Sequence, residues 1–141
     1  VNSLLEIQAI NKEIKILNTV DTSLFIDADK NMLATILRNL VSNAIKFTKP
    51  KGEVQIYSSV ENNFVEVTVK DNGVGMEESS IENLFDIDVK NSTSGTSNEQ
   101  GSGLGLILCK DFVEKHGGKL WIKSVVGKGS EFMFTLPKWE N

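Results

Sequence analysis

The segment at residues 101–122, GSGLGLILCKDFVEKHGGKLWI, restricts the fold more than any other part of the chain. Its first five residues alternate glycine with serine or leucine, so the backbone there has little side-chain bulk and can expose consecutive amides. The apolar repeat that follows predicts a helix, closed by Gly117 and Gly118. The buried side of this helix is predicted to contain Leu104, Ile107, Leu108, Phe112 and Val113. Unpaired N–H groups at the start of a helix favour a phosphate, although alone this pattern also fits a glycine loop that merely precedes a helix.

Composition limits the class of protein. A chain of 141 residues can form one domain with its own core, and no apolar run approaches the about 20 residues of a membrane span. The net charge of −4 argues against nucleic-acid binding. Cys109 is the single cysteine, which excludes an internal disulfide, favours a reducing compartment and fits a buried apolar position better than a reactive thiol. The chain begins without methionine or a signal-peptide pattern, which predicts a piece of a longer protein.

A second long helix is predicted from residue 29 or 30 to 48, because apolar residues recur at three- and four-residue spacing and Pro50 follows. Its other face places Asn39, Asn43 and Lys46 at positions i, i+4 and i+7. Two amides and an amine are therefore expected to line up on one side of this helix.

Short alternating stretches predict strands at residues 14–20, 23–29, 53–60, 64–70, 119–125 and 131–136. A short helix precedes the first strand, with the switch near residues 11–13, and another short helical piece is predicted to end near residues 84–85. Residues 87–100 are rich in Ser, Thr, Asn and Gly, which predicts a mobile lid. Hairpin strands that alternate with long helices predict an α+β two-layer sandwich with helices on one sheet face.

Several familiar sites are excluded. Residues 127–130, GKGS, lack the spacing of a P-loop, and neither glycine motif has the third glycine of a dinucleotide-binding fingerprint. The signature motifs of Ser/Thr/Tyr kinases are absent. One histidine and one cysteine form neither a zinc site nor a nucleophile triad.

Four motifs occur in order along the chain: NLVSNAIKFT at 39–48, DNGVGM at 71–76, LFD at 84–86 and GSGLGL at 101–106. They resemble the N box, first glycine box, F box and second glycine box of the GHKL ATPase superfamily. Within it, the chain resembles the catalytic ATP-binding domain of sensor histidine kinases from about residue 13 to 137. Residues 92–110 are particularly similar to hybrid two-component sensors.

The resemblance implies a Bergerat fold, in which three helices cover one face of a mixed, mostly antiparallel sheet. It implies a catalytic domain at residues 13–141 and, at residues 1–12, the remnant of a connection to a dimerisation domain. ATP and Mg²⁺ are the implied cofactors. The implied partners are a helical domain of the same parent protein, which carries the acceptor histidine, and indirectly a response regulator receiver. The domain alone is expected to be monomeric and cytoplasmic, within a homodimeric parent anchored in the inner membrane.

The resemblance assigns roles to the polar stripe of the second helix. Asn43 is expected to give Mg²⁺ an amide oxygen, in keeping with the preference of this ion for oxygen ligands, phosphates and water. Lys46 is expected to neutralise phosphate charge. Asn39 stands where hydrolytic relatives carry a water-activating glutamate. Because an amide is not a base at neutral pH, Asn39 favours transfer to an acceptor over hydrolysis.

The first glycine box is expected to hold the base. Asp71 would accept a hydrogen bond from the exocyclic amine of adenine, and Gly73 and Gly75 would let the backbone pass close to the ring. The residues that could form the apolar wall, with core packing an equal alternative for each, are Ile45, Met76, Ile81 and Phe132.

The second glycine box is expected to hold the phosphates. Its residues are Gly101, Ser102, Gly103, Leu104, Gly105 and Leu106. Lys90 is the candidate for the terminal phosphate, although Gln100 stands where many relatives carry a base. Phe85 is expected to anchor the lid. His116 is expected to have a structural role at a helix end, so the acceptor histidine lies outside this chain.

Three alternatives remain open at this point. The chain could be a hydrolytic GHKL ATPase, an anti-sigma serine kinase, or a degenerate module that binds a partner or a nucleotide without catalysis. Acceptor-independent ATP turnover, acid-stable phosphoserine and absence of catalysis would distinguish them.

Overall fold

The computed structural model describes residues 3–19, 30–83 and 104–138. The helices are α1 Ser3–Asn11, α2 Lys30–Phe47, α3 Glu78–Asn83 and α4 Leu104–Lys115. The strands are β1 Lys15–Asn18, β2 Glu53–Glu61, β3 Phe64–Asp71, β4 Leu120–Val125 and β5 Gly129–Pro137. These elements follow the predicted order. The strand expected at 23–29 and the lid expected at 87–100 lie outside the described residues.

The five strands form one mixed sheet in the order β1-β2-β3-β5-β4. β1 is parallel to β2, and the other three pairings are antiparallel. A parallel pair needs a long crossover, and here α2 lies in the connection between β1 and β2. The β2–β3 hairpin turns at Asn62, whose φ of 54° is left-handed, a conformation that asparagine tolerates well. The predicted α+β sandwich is confirmed.

The core lies between the sheet and a layer of helices. α2 contributes Ile36, Leu40, Val41 and Ala44, which recur at helical spacing and are at most 2% exposed. α1 joins this layer through the buried Ala9. Within residues 3–19, 30–83 and 104–138, no helix is long and apolar enough to cross a membrane.

The predicted buried face of α4 is confirmed at Val113 and Phe112 and is wrong at Leu108. Leu108 is 51% exposed, whereas Leu106, Cys109 and Val113 are buried in the core. The run LGLILC offers two apolar stripes at helical spacing, and packing against α2 and the sheet selects the second. The prediction that Cys109 is a buried apolar residue is confirmed.

The end of α4 uses His116 as a structural residue, as predicted. Its Nδ1 donates a hydrogen bond to the carbonyl of Phe112 at 2.7 Å. The Gly118 amide donates to the Val113 carbonyl at 2.9 Å, which closes the last turn.

A buried lysine joins α1 to α2. The Nζ of Lys12 donates to the carbonyls of Ile45 at 3.0 Å and Lys46 at 3.4 Å. These carbonyls belong to the last turn of α2, where helix oxygens lack partners and the dipole favours a cation. Lys12 lies at the predicted switch from helix to strand, so the turn between α1 and β1 is held against the carboxyl end of α2.

Candidate functional site

Asp71 is the last residue of β3, and its carboxyl group is buried. The residue is 3% exposed. Its Oδ1 accepts hydrogen bonds from the amides of Gly73 at 2.9 Å and Ser130 at 3.3 Å. Among the described residues, nothing donates to its Oδ2. A buried acceptor without a partner costs about 1–3 kcal/mol, so this oxygen is a ready site for an N–H group of a ligand.

Burial also sets the charge of this carboxyl. Removal from water raises the pKa of Asp71 from 3.8 to about 6, while the hydrogen bonds from Gly73 and Ser130 oppose the rise. The carboxyl is therefore mostly ionised at neutral pH and accepts hydrogen bonds there. Below about pH 6 it is protonated and less able to accept an N–H group.

The segment after Asp71 passes between α2 and the β4–β5 hairpin. The Val74 amide donates to the Phe47 carbonyl at 3.1 Å, and the Gly127 amide donates to the Val74 carbonyl at 2.8 Å. A Cβ on Gly73 would lie 2.1 Å from the Phe47 oxygen. The first glycine motif is thus fixed on both sides by backbone contacts.

The polar stripe of α2 lies beside both glycine motifs. Asn39 faces α4, because its Oδ1 is 2.8 Å from the position of a Cβ on Gly105. Lys46 is 9% exposed and its Nζ lies 5.1 Å from the centroid of the Phe47 ring. Asn43 is half-buried one turn after Asn39. Since Phe47 contacts the first glycine motif and Asn39 contacts the second, α2 is the common neighbour of both.

Asn39 also hydrogen-bonds to Cys109, and this contact contributes to the pKa of the thiol. Burial raises the pKa of Cys109 to about 11, and the hydrogen bond with Asn39 opposes the rise. The thiol is therefore neutral at physiological pH and has no nucleophilic character there. Asn39 and Cys109 join α2 to the start of α4.

Residues 28–140 match the family model of histidine kinase-, DNA gyrase B- and HSP90-like ATPases. The chain belongs to this ATPase family. Sensor histidine kinase WalK of Bacillus subtilis is 35% identical over 122 residues, which are 85% of this chain and 20% of WalK. Sensor protein SrrB of Staphylococcus aureus is 37% identical over 112 residues, which are 79% of this chain and 19% of SrrB. The chain therefore spans about a fifth of the length of these curated relatives.

Solved structures of histidine kinases have the same fold. The nucleotide-free catalytic domain of ThkA gives a TM-score of 0.80 at 31% identity over 96% of this chain and 86% of that chain. Full-length ShkA in complex with AMPPNP gives 0.79 at 30% identity over 99% of this chain and 28% of that chain. ThkA in complex with the response regulator TrrA gives 0.75 at 28% identity over 97% of this chain and 38% of that chain. The predicted resemblance to histidine kinase catalytic domains is confirmed.

The other residues predicted for this ATPase site fall into three groups. Ile45 and Phe132 are core residues, each 1% exposed, whereas Met76 and Ile81 are half-buried. Leu104 begins α4 and Leu106 is buried. Outside the described residues lie Phe85, Lys90, Gln100, Gly101, Ser102 and Gly103, so their assigned roles stay predictions.

The described part of the chain contains no group of three or more His, Cys, Asp or Glu side chains that could hold a metal ion. Mg²⁺ prefers oxygen ligands and is commonly held by one or two protein groups together with phosphates and water. The half-buried amide of Asn43 fits that donor set, because Mg²⁺ is usually held by few protein ligands and keeps several waters.

A pair of serines that contacts the first glycine motif was not predicted from the sequence. The Met76 amide donates to Ser124 Oγ at 2.7 Å, and Ser124 Oγ lies 2.7 Å from Ser130 Oγ. Ser124 and Ser130 are partners in the β4–β5 ladder. The sequence gives no local signal for this arrangement, because only the register of β4 with β5 places the two serines opposite each other.

A pair of glycines tests how closely the first glycine motif is packed. We expect Gly75→Ala to lower the free energy of unfolding by about 3 kcal/mol or more and to weaken nucleotide binding, because Gly75 has a φ of 73° and a Cβ would lie 2.1 Å from the Val125 oxygen. Gly127→Ala is the matched control, since its φ is 83° and a Cβ there would meet nothing within 4 Å. Gly127→Ala should lower the free energy of unfolding by only about 1 kcal/mol, the cost of a left-handed backbone for an L-residue. Denaturant unfolding and nucleotide titration measure both, and equal losses would contradict the close packing at Gly75.

Proposed function

We propose that the domain binds Mg²⁺-ATP and transfers the γ-phosphoryl group to a histidine on a separate helical domain of the same parent protein. The observation that carries this proposal is the buried Oδ2 of Asp71, which has no hydrogen-bond partner within the described part of the chain and lies beside a glycine motif. A buried, ionised carboxylate is suited to accept a hydrogen bond from the amino group of adenine. The family of the chain and its likeness to histidine kinase catalytic domains support the choice of ATP.

The residues of α2 suit transfer rather than hydrolysis. Efficient hydrolysis needs a group that activates water, and the amide of Asn39 is not a base at neutral pH. This amide is hydrogen-bonded to Cys109 and lies beside Gly105. In our proposal Asn39 positions α4, Asn43 holds Mg²⁺ and Lys46 offsets phosphate charge. Bound Mg²⁺ would neutralise charge on the phosphates, and the chain would contribute mainly position and orientation.

The partners of the domain are part of the same proposal. The acceptor is a helical phosphoacceptor domain, and a response regulator receiver takes the phosphoryl group afterwards. Residues 1–12 are the remnant of the connection to that helical domain, and residues 13–141 are the catalytic domain. The isolated domain is monomeric, whereas the parent is a homodimer with this domain in the cytoplasm and an anchor in the inner membrane. Its partners include no nucleic acid, in keeping with the net charge of −4.

A two-step experiment tests the proposed function. We expect calorimetric titration to show ATP binding that Mg²⁺ strengthens. Added to the separately expressed acceptor domain, the protein should then form an acid-labile phosphohistidine on that domain. The acceptor domain with its histidine replaced by alanine is the control.

Other outcomes of this experiment support other activities. Steady ATP turnover without an acceptor would indicate a hydrolytic ATPase. Acid-stable phosphoserine would indicate a serine kinase. Absence of ATP binding would contradict the proposal and leave a non-catalytic module.

A further inference from the structure

The proton positions in the serine pair can be assigned from the chemistry of their partners. The hydroxyl of Ser124 donates to the Gly129 carbonyl at 3.1 Å, and a carbonyl can only accept. With its one proton committed, the oxygen of Ser124 accepts from the Met76 amide at 2.7 Å. The contact of 2.7 Å with Ser130 Oγ therefore has Ser130 as the donor.

This order fixes what Ser130 can offer a ligand. Because its proton points to Ser124, the oxygen of Ser130 retains only acceptor capacity. Ser130 also adjoins the candidate site, since its amide donates to Asp71 Oδ1 at 3.3 Å. At neutral pH the ionised carboxyl of Asp71 is likewise an acceptor. The side chains of Asp71 and Ser130 therefore both accept hydrogen bonds and offer none.

We infer that Ser124 is a positioning residue that makes the site selective for nucleotides of 6-amino purines over those of 6-oxo purines. The inference rests on the proposed function, because it places the base at Asp71. An amino group at C6 can donate to the oxygens of Asp71 and Ser130, whereas a carbonyl at C6 would face these two acceptors, neither of which can donate to it. Ser124 enforces this by holding the proton of Ser130 away from the site, and it fixes the first glycine motif through the Met76 amide.

Substitution of Ser124 changes both properties. In Ser124→Ala, the proton of Ser130 loses its acceptor, so the hydroxyl can rotate and donate to a carbonyl at C6. The Met76 amide also loses its partner, which is expected to loosen the glycine motif and speed exchange of that amide. A residue that only maintained the fold would weaken both kinds of purine nucleotide equally.

The experiment compares affinities for ATP and inosine triphosphate at pH 8, where Asp71 is ionised. We expect the wild-type domain to prefer ATP, and the preference to fall about tenfold in Ser124→Ala. Ser124→Thr keeps a hydroxyl and should retain the preference. Ser130→Ala removes the acceptor oxygen while Ser124 keeps its bonds to Gly129 and Met76, so the preference should fall here too.

Thr135→Val is the matched control. Thr135 Oγ1 accepts from the Lys119 amide at 2.9 Å, which is the same type of bond in the same strand pair. It lies about 17 Å along β5 from Ser130. Loss of this hydroxyl should leave the preference for ATP unchanged. Hydrogen exchange of the Met76 amide without nucleotide provides a second readout, expected to accelerate in Ser124→Ala alone among these variants.

Each other outcome identifies what fails. If Ser124→Ala bound both nucleotides more weakly by the same factor, the residue would be structural and the inference wrong. Wild-type affinities in Ser124→Ala would overturn the inference and leave the proposed function standing. A wild-type domain that bound neither nucleotide, while Met76 exchange still accelerated in Ser124→Ala, would overturn the proposed function and the inference together.

Discussion

The Asp71→Asn variant is expected to lose at least about 100-fold in affinity for ATP while it keeps its fold. Asparagine retains an oxygen that can accept from the amides of Gly73 and Ser130. At the place of Oδ2, however, it presents an NH₂ group to the amino group of adenine, and two donors cannot bond to each other. Calorimetric titration with ATP measures the loss, and the circular dichroism spectrum checks the fold.

In the absence of nucleotide, Asp71→Asn should raise the free energy of unfolding of the domain. Ionised Asp71 is disfavoured by burial, since its pKa is about 6 in the folded state against 3.8 in the unfolded chain. The folded state therefore binds more protons between these values, so the contribution of Asp71 to the free energy of unfolding falls as pH rises from about 4 through about 6. The total fall is about 3 kcal/mol. Asp71→Asn should remove this component, whereas ATP affinity of the wild type should rise over the same pH range.

Asp111→Asn is the control for this pH dependence. Asp111 is exposed on α4, where its Oδ2 lies 3.0 Å from the Nζ of Lys115. An exposed ion pair contributes little to stability, so this variant should follow the wild type in both ATP affinity and unfolding. If Asp71→Asn bound ATP with the affinity of the wild type, Asp71 would not be part of the nucleotide site and the proposed function would be contradicted.

The part of the fold set by local periodicity could be predicted from the chain. α2 has one apolar stripe and a proline beyond its end, so its bounds and its polar face follow from spacing alone. The hairpins follow in the same way, because Asn62 and the glycines near residues 127–129 mark the turns. Sheet order and the register of β4 with β5 needed long-range pairing that no local pattern specifies.

Where the chain offered two solutions, packing decided between them. The start of α4 has apolar residues on nearly every side, so spacing could not separate the face with Leu108 from the face with Cys109. Contact with Asn39 and with the sheet selects Cys109. Local sequence thus predicts that a helix forms, while tertiary contacts decide which of its faces is buried.

Polar residues that act through tertiary contacts gave no local signal. Lys12 has the sequence context of a surface lysine, yet its ammonium group is buried against the last carbonyls of α2. Ser124 occupies an unremarkable strand position, yet it is the acceptor for the Met76 amide 48 residues earlier in the chain. Asp71 and Asn43 were identifiable because their motifs resemble a family, whereas these two residues became visible only in the folded chain.

The Asn43→Ala variant is expected to lose at least about 100-fold in phosphotransfer to the acceptor domain. In the proposed site its amide oxygen is the protein ligand of Mg²⁺, and alanine leaves no side-chain oxygen at that position. Because Asn43 is half-buried and alanine favours helices, α2 should remain folded. ATP binding without Mg²⁺ should change little, whereas the gain in affinity on adding Mg²⁺ should disappear. Calorimetry with and without Mg²⁺, followed by the phosphotransfer assay, measures both effects.

Two further variants separate the role of the oxygen from the role of the helix. Asn43→Asp keeps an oxygen donor that suits Mg²⁺, so it should retain a measurable Mg²⁺ dependence. Asn31→Ala makes the same change at the start of the same helix, about 18 Å away, and should behave as the wild type. Unchanged transfer in Asn43→Ala would exclude Asn43 as the metal ligand. A role of the Asn43 oxygen as metal ligand predicts a loss in Asn43→Ala alone. Equal losses in Asn43→Ala and Asn31→Ala would therefore attribute the effect to α2 as a whole.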